Sequence, residues 1–486
     1  MIPEFVFDVT PALPEIILAG AGLVLLVLGA MREEDGLKTV TPLAVVALLV
    51  AALLALTLDR QPQTGFFGHF VFDSFAGFLK VIMLAGAAGS LLVATSYMRE
   101  ERVERFEYAV LLVFASLGMC MMVSANSLIA LYMALELHSL PLYVMAAFHR
   151  DNLRSTEAGL KYFVLGALAS GMLLYGCSLV YGFTGTVSFE GIAAAFHGTD
   201  GAVGSLPVGA VTGLVFVIAG LAFKLAAVPF HMWTPDVYEG SPTPVATFFA
   251  AAPKVAAVGL FVRVLMQPFG EWVDAWQQVV ILIAVASMLL GAFAAIGQTN
   301  IKRLMAYSGI GHVGYALVGL SAGTEKGAYG VLIYMAIYLV MTLGTFSCIL
   351  FMRRQGRYVE EIADLAGLGR RQPLLAAAFG VLMFSLAGIP PLAGFFGKLY
   401  VFLAAVDAGL TWLAVIGVLT SVVGAFYYLR VVKVIYFDEP AEAFDGGADP
   451  GVAGVAAVTT IMNLLFVVVP GPLLAAAATA AAALMR

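Results

Sequence analysis

Apolar runs of about twenty residues recur from one end of this chain to the other, and no other feature restricts its possible folds so strongly. A hydrocarbon layer about 30 Å thick is crossed by ~20 helical residues. Inside such a layer every peptide group must be satisfied within the protein, which helices do by themselves. The sequence therefore predicts an all-α integral membrane protein of about fourteen transmembrane helices, centred near Val24, Leu48, Gly86, Gly118, Glu136, Gly171, Val217, Val255, Ala286, Tyr315, Ala336, Ala387, Val422 and Leu464. Composition agrees, because 62% of the 486 residues are hydrophobic and only 12% charged, more apolar surface than a soluble core can cover. The net charge of -6 says little about partners, since most charges sit in short connections.

Those connections leave no room for a soluble domain, so residues 1–486 read as one transmembrane domain. The longest are Thr184 to Ser205 and Arg353 to Gln372, the second expected to form a surface helix. Basic residues accumulate in cytoplasmic loops. The connections after odd-numbered spans hold sixteen: Arg32, Lys38, Arg99, Arg102, Arg105, Arg150, Arg154, Lys302, Arg303, Arg353, Arg354, Arg357, Arg370, Arg371, Arg430 and Lys433. The other side holds Arg60, Lys326 and Arg486, so both termini are expected on the periplasmic side. Met1 to Asp8 lack the basic stretch of a cleavable signal, and the first span is expected to stay. Cys120, Cys177 and Cys348 lie singly in apolar runs and read as small buried hydrophobes. With no phosphate-cradling glycine loop, metal-ligand cluster or haem pattern, no cofactor is expected in this chain; the expected surroundings are a lipid bilayer, protons and water, not nucleic acid.

Six basic residues remain inside the spans: Lys80, Lys161, Lys224, Lys254, Arg263 and Lys398. Each costs ~2.5–3.5 kcal/mol at a helix centre. Lys80 and Arg263 lie within about two turns of a span end and are expected to snorkel to the headgroups. Lys161, early in its span, reads equally as snorkelling or functional. Lys224 and Lys254 have ten or so apolar residues on either side and cannot easily reach water. Glu136, in the middle of the fifth span, is the only acid expected so deep. It needs a partner, for which Lys224 is the expectation, with Lys161 and Lys254 left open. Separating a carboxylate from a lysine shifts both proton affinities in opposite senses, so a movable pair is a proton switch. A static pair locking helices together is the bland alternative.

Two spans carry internal breakers. Lys224 precedes Pro229 by five residues, and Lys398 follows Gly388-Ile389-Pro390-Pro391 by seven. Proline frees carbonyls that lipid cannot satisfy, so such breaks survive where protein or water lines them. Paired interrupted spans point to an ion pathway between repeats. Helices 7 and 12 are thus expected to be discontinuous. Their spacing of five, an odd number, implies two inverted five-helix repeats: helices 4–8 in 107–268 and helices 9–13 in 269–438, flanked by helices 1–3 in 1–106 and helix 14 in 439–486. The stretch Thr234 to Pro244, rich in Pro and Gly, is expected to cap the cytoplasmic face. His312 lies midway between the broken helices and is either a hydrogen-bonded core residue or a proton relay. His138 reads as structural; His149 and His231 sit near span ends and are expected to meet water.

Three blocks carry a family resemblance: Glu136-Leu137-His138-Ser139-Leu140-Pro141-Leu142-Tyr143, Phe223-Lys224-Leu225-Ala226-Ala227-Val228-Pro229-Phe230-His231-Met232-Trp233, and Gln298-Thr299-Asn300-Ile301-Lys302-Arg303-Leu304-Met305-Ala306-Tyr307-Ser308. They resemble the antiporter-like membrane subunits of respiratory complex I over most of the chain. The block Ala393-Gly394-Phe395-Phe396-Gly397-Lys398-Leu399 resembles the N type, since the M type usually has glutamate at the lysine position and the L type carries a long lateral helix. His138 departs from the serine often seen there. The resemblance implies that Glu136 and Lys224 form the switch pair, Lys254 the central relay and Lys398 the terminal site, with Lys161 and His312 supporting. It also implies a proton-translocating subunit of an NADH:quinone oxidoreductase, with FMN, iron-sulfur clusters and quinone in partner subunits of the membrane and peripheral arms. The rival readings are a subunit of a sodium/proton antiporter or of a proton-pumping hydrogenase, or a scaffold that conducts nothing. Ala- and Gly-rich composition and a full set of spans point to a bacterial inner membrane rather than an organelle.

Overall fold

The computed structural model describes residues 9–32, 36–196, 204–446 and 449–485; Met1 to Asp8 and Arg486, used above for the leader and for orientation, lie outside them. The described chain is a helical bundle with two short hairpins. Ten helices are long and apolar enough to cross a membrane alone. The fourth span, Glu107–Val123, is one residue short of that length, and the tenth, Ile301–Ser321, is long but carries four glycines, two serines, His312 and the pair Lys302-Arg303. The twelfth and fourteenth are each made of two shorter helices. Together these give the fourteen crossings expected.

Consecutive spans alternate direction, and the loops show it. On one face, Asn300 after the ninth span bridges Glu361 after the eleventh, and Lys302 donates to the Ser241 carbonyl at 2.9 Å. On the opposite face, Phe70 bridges Ala125, and Ser127 bridges Ser188. The first of these is the face rich in Lys and Arg. There the connection expected as a surface helix is a two-stranded hairpin, Arg353–Arg354 against Arg357–Tyr358, followed by single turns at Ile362–Leu365 and Leu368–Arg371. Gly356 at φ +77° turns the hairpin, and Arg353 anchors it to Glu100 at 2.9 Å. Anchored arginines here favour pairing over a free amphipathic helix.

Both expected breaks are present. The helix Val208–Leu225 ends at Ala226, left-handed at φ +61°, and the chain resumes as Trp233–Gly240. Pro373–Ala387 ends at Gly388, left-handed at φ +84°, and resumes as Ala393–Asp407. In each, the left-handed residue stands three places before a proline and its amide turns back to the last carbonyls. At the seventh-span break Phe223 O accepts a second bond, from Trp233 Nε1 at 3.0 Å, while the Trp233 ring stacks on Tyr162 at 4.2 Å.

Two further breaks were not expected. The eighth span divides at Ala251 into Thr243–Ala250 and Ala252–Met266, with Lys254 in the first turn after the break; Pro253 was the unread signal. The fourteenth divides into Pro450–Leu465 and Gly471–Leu484, where Pro470 and Pro472 flank Gly471. Burial is deepest in the eighth and eleventh spans, which form the centre of the bundle.

Lys80 and Arg263 do not snorkel. Each is wholly buried, Lys80 paired with Glu15 at 2.6 Å and Arg263 with Asp73 at 2.8 Å. Buried acids thus occur also at span ends, at Glu15 and Asp73, while Glu136 lies in the middle of its span. The missing information was tertiary: Glu15 and Asp73 sit at span ends in sequence, and folding places them against cations from other spans. The three cysteines are buried and unpaired.

Candidate functional site

Glu136, Ser139 and Tyr143 project from one side of the fifth span, Leu128–Ala146, because three and four residues are about one helical turn. Lys224 occupies the last turn before the seventh span breaks. Its ammonium donates to Ser139 Oγ at 2.7 Å and Tyr143 Oη at 2.9 Å and lies 5.2 Å from the Tyr143 ring centre. Glu136 instead accepts from Ser170 Oγ of the sixth span, and Ser170 also reaches Tyr132 Oη at 3.3 Å. Among the described residues no ion pair within 4.0 Å joins Glu136 to Lys224. The expected pair is thus apart in this structure, one turn of helix and the Ser139 hydroxyl lying between the two charges. His138 is buried on another side and bonds the Ala115 carbonyl at 3.3 Å, as its structural reading anticipated.

Lys161 goes to neither. It pairs with Glu157 at 2.7 Å and Asp236 at 2.8 Å, and Arg303 joins Asp236 at 2.7 Å and Glu239 at 2.9 Å. This half-exposed network ties the sixth and tenth spans to the short helix Trp233–Gly240 on the basic face.

Lys254 is buried, its Nζ without a hydrogen-bond partner and 5.9 Å from the Tyr238 ring centre. Gly309 makes room for it: a Cβ there would lie 3.2 Å from Lys254 Nζ and 3.2 Å from Tyr338 Oη. One turn along the tenth span, His312 shares a 2.6 Å hydrogen bond with Tyr334 Oη through Nδ1 and a 3.1 Å one with Tyr428 Oη through Nε2. Tyr428 in turn bonds Ser308 Oγ. Lys398 completes the line. It donates to the Ala387 carbonyl at 2.8 Å, the Leu386 carbonyl at 3.2 Å and Ser421 Oγ at 2.7 Å, and it lies 4.9 Å from the Tyr315 ring centre. The break in the twelfth span and the lysine solve each other's problem: helix-end carbonyls without amide partners receive a buried ammonium that needs acceptors.

The tyrosines Tyr238, Tyr315, Tyr334, Tyr338 and Tyr428 had not been read from sequence. Their signal was present, since a phenol hydroxyl inside an apolar span must find a polar partner, and Tyr334 and Tyr338 are one turn apart. Toward the basic face, Thr234 Oγ1, Tyr238 Oη and Ser241 Oγ are buried and without protein partners. Ser241 lines a polar cavity of about 330 Å³ that also includes His149, Glu239 and Lys302. His231, expected to meet water, is partly exposed, with its Nδ1 buried and without a partner.

Residues 125–424, which include Glu136, Lys161, Lys224, Lys254, His312 and Lys398, match the family described as "NADH:quinone oxidoreductase/Mrp antiporter, TM". NADH-quinone oxidoreductase subunit N of Paramagnetospirillum magneticum is 57% identical over 98% of this chain and 97% of its own length. The subunit N of Azorhizobium caulinodans is 60% identical over 97% and 98%. Among solved structures, a chain of respiratory complex I from Thermus thermophilus superposes with a TM-score of 0.80 at 34% identity, over 95% of this chain and 99% of that one. A chain of the Mrp complex from Dietzia shares the fold alone, with a TM-score of 0.83 at 23% identity over 98% and 97%.

Proposed function

This chain belongs to the NADH:quinone oxidoreductase/Mrp antiporter family, among the N subunits of NADH-quinone oxidoreductase, and from that premise we propose that it moves protons through Glu136, Lys224, Lys254, His312 and Lys398. The observation that carries the reading is the buried polar line through the bundle centre, from Lys254 past Ser308, Tyr428, His312 and Tyr334 to Lys398 and Ser421. Insertion of three lysines at such depth costs several kcal/mol, and a scaffold has no use for that cost.

The steps follow from the contacts. The Lys224 ammonium rests on Ser139 and Tyr143; a shift along the fifth span toward Glu136 makes an ion pair and stabilises its proton, and the return shift releases it. Among the described residues no acid pairs with Lys254, so its charge responds to where Lys224's charge stands. Thr234, Tyr238 and Ser241 supply a hydrated inlet from the basic-face cavity to Lys254. His312, with both ring nitrogens bonded to phenols, hands a proton between them by exchanging donor and acceptor roles. Lys398 discharges at the broken twelfth span. Lys161 holds Asp236 and so the short helix Trp233–Gly240 beside the inlet.

In this reading, oxidation of NADH belongs to other subunits of the complex, which hold the FMN, iron-sulfur clusters and quinone site. The two broken-helix units, 107–268 and 269–438, form the inverted repeats, with helices 1–3 and the fourteenth span packed around them. The membrane is the bacterial inner membrane, the basic face cytoplasmic and both termini periplasmic. The test is NADH oxidation with quinone, and acidification read by a pH-sensitive dye, in membranes containing assembled Lys224→Ala or Lys254→Ala complex. Loss of both signals is expected; unchanged pumping refutes the relay.

A further inference from the structure

The relay uses one lysine of the eighth span, yet the same span carries a second buried cation toward the opposite face. Arg263 stands nine residues beyond Lys254, about 13.5 Å along the helix. It is wholly buried and forms a two-oxygen contact with Asp73, at 2.8 Å to Oδ1 and 3.0 Å to Oδ2. Its Nη1 donates to Gln267 Oε1 at 3.1 Å. Gln267 lines a cavity of about 410 Å³ on the opposite face, together with Asn126, Glu190 and Glu271. Asp73 is itself fixed, since it caps the third span by accepting from the Ala76 amide at 2.7 Å. Arg263 therefore stands where an acid-lined cavity on the far face meets the span that carries the central lysine.

We propose that Arg263, held by Asp73, is an electrostatic seal that keeps protons in the opposite-face cavity from returning to Lys254. Arginine suits this task because its guanidinium does not give up its proton in proteins and cannot act as a relay. A fixed buried cation also repels hydronium, as arginines do in pores that exclude protons. Glu190 and Glu271 are among the residues lining that cavity and attract protons to it, so the barrier is placed where back-leak would begin. The eight residues between Lys254 and Arg263 are apolar and buried, and the seal closes the far end of that stretch against hydration.

The inference rests on the relay reading, because the leak it prevents ends at Lys254. The test uses the intact purified complex in proteoliposomes, without NADH, and follows the decay of an imposed pH gradient. Arg263→Gln is expected to speed decay several-fold, whereas Asp73→Asn, which keeps the cation, decays as wild type does. A merely structural ion pair would make the two variants alike, and equal rates overturn the proposal. The Asp73→Asn/Arg263→Gln double variant leaves no orphan charge and is best placed to assemble; it must leak too, and a tight double variant also overturns the seal. Adding Lys254→Ala to the leaking variant is expected to restore wild-type decay, and persistence of the leak shows a path that avoids Lys254 and overturns the proposal. Failure of the relay reading itself shows separately, as NADH-driven pumping that survives Lys254→Ala.

Discussion

Gly388→Ala should uncouple the twelfth span without unfolding it. Gly388 adopts φ +84°, and an added Cβ would lie 2.9 Å from Lys398 Cδ, 3.0 Å from Nζ and 3.2 Å from Cε. Two costs are involved. The left-handed backbone costs an L-residue about 1–2 kcal/mol, but Ala226 occupies the corresponding position of the seventh span at φ +61°, so alanine is tolerated in such a cap. The larger cost is the lysine's. Moving Nζ off the Ala387 and Leu386 carbonyls forfeits hydrogen bonds to a charged group at about 1.5–3 kcal/mol each. Loss of both amounts to roughly 3–6 kcal/mol, or about a 10²–10⁴-fold fall in the population of seated lysine at 1.4 kcal/mol per tenfold. The assay is NADH:quinone turnover with dye-reported acidification, normalised to assembled complex, with Ala226→Gly as the control that touches the equivalent cap but not Lys398. Normal pumping by Gly388→Ala would mean that Lys398 need not be seated on those carbonyls, and the role assigned to the broken helix would fall.

Tyr428→Phe removes the hydroxyl that joins His312 to Ser308; at about 0.5–1 kcal/mol for each of the two lost bonds, coupled turnover should drop about tenfold while assembly holds, and an unchanged rate would remove Tyr428 from the relay. Lys80→Ala strands the buried Glu15 carboxylate and should cost about 3–5 kcal/mol, whereas the Lys80→Leu/Glu15→Leu double variant should recover most of it; thermal melting of the solubilised complex would show the difference. On the basic face, the Gly356 amide first, then the Gln355 amide and Arg353, outweigh desolvation and hold the Asp445 carboxyl below its ordinary range. A depressed carboxyl stabilises the fold above its unfolded value and loses that contribution as pH falls through the folded one. The hairpin anchor should therefore be intact at neutral pH and lost only in acid, while Asp445→Asn loosens it at every pH; trypsin nicking after Arg357, compared between the two at pH 7, checks this.

How far the sequence carries is clearest at the broken helices. Pro229 and Pro390-Pro391 are local covalent facts, and in lipid a missing amide donor dictates an interruption wherever it falls, so the seventh and twelfth spans were legible with their lysines. Pro253 and Pro470 carry the same local signal, but the eighth and fourteenth breaks are evident only in the fold. Span number and alternation followed from the length of apolar runs against the thickness of the hydrocarbon layer. The depth of Lys224 and Lys254 followed from the same arithmetic.

What charges meet was decided by tertiary structure alone. Glu15 lies 65 positions from Lys80 and Asp73 lies 190 from Arg263, and no local rule brings them together; the snorkelling expected of both cations failed because partners reached them first. Glu136 and Lys224 were expected in contact, and the fold instead seats one on Ser170 and the other on Ser139 and Tyr143. The tyrosine line around His312 depends on the tenth, eleventh and thirteenth spans meeting at one depth. Helical periodicity fixes which side chains share a face, but which faces meet depends on how fourteen helices pack, and that is a property of the whole chain.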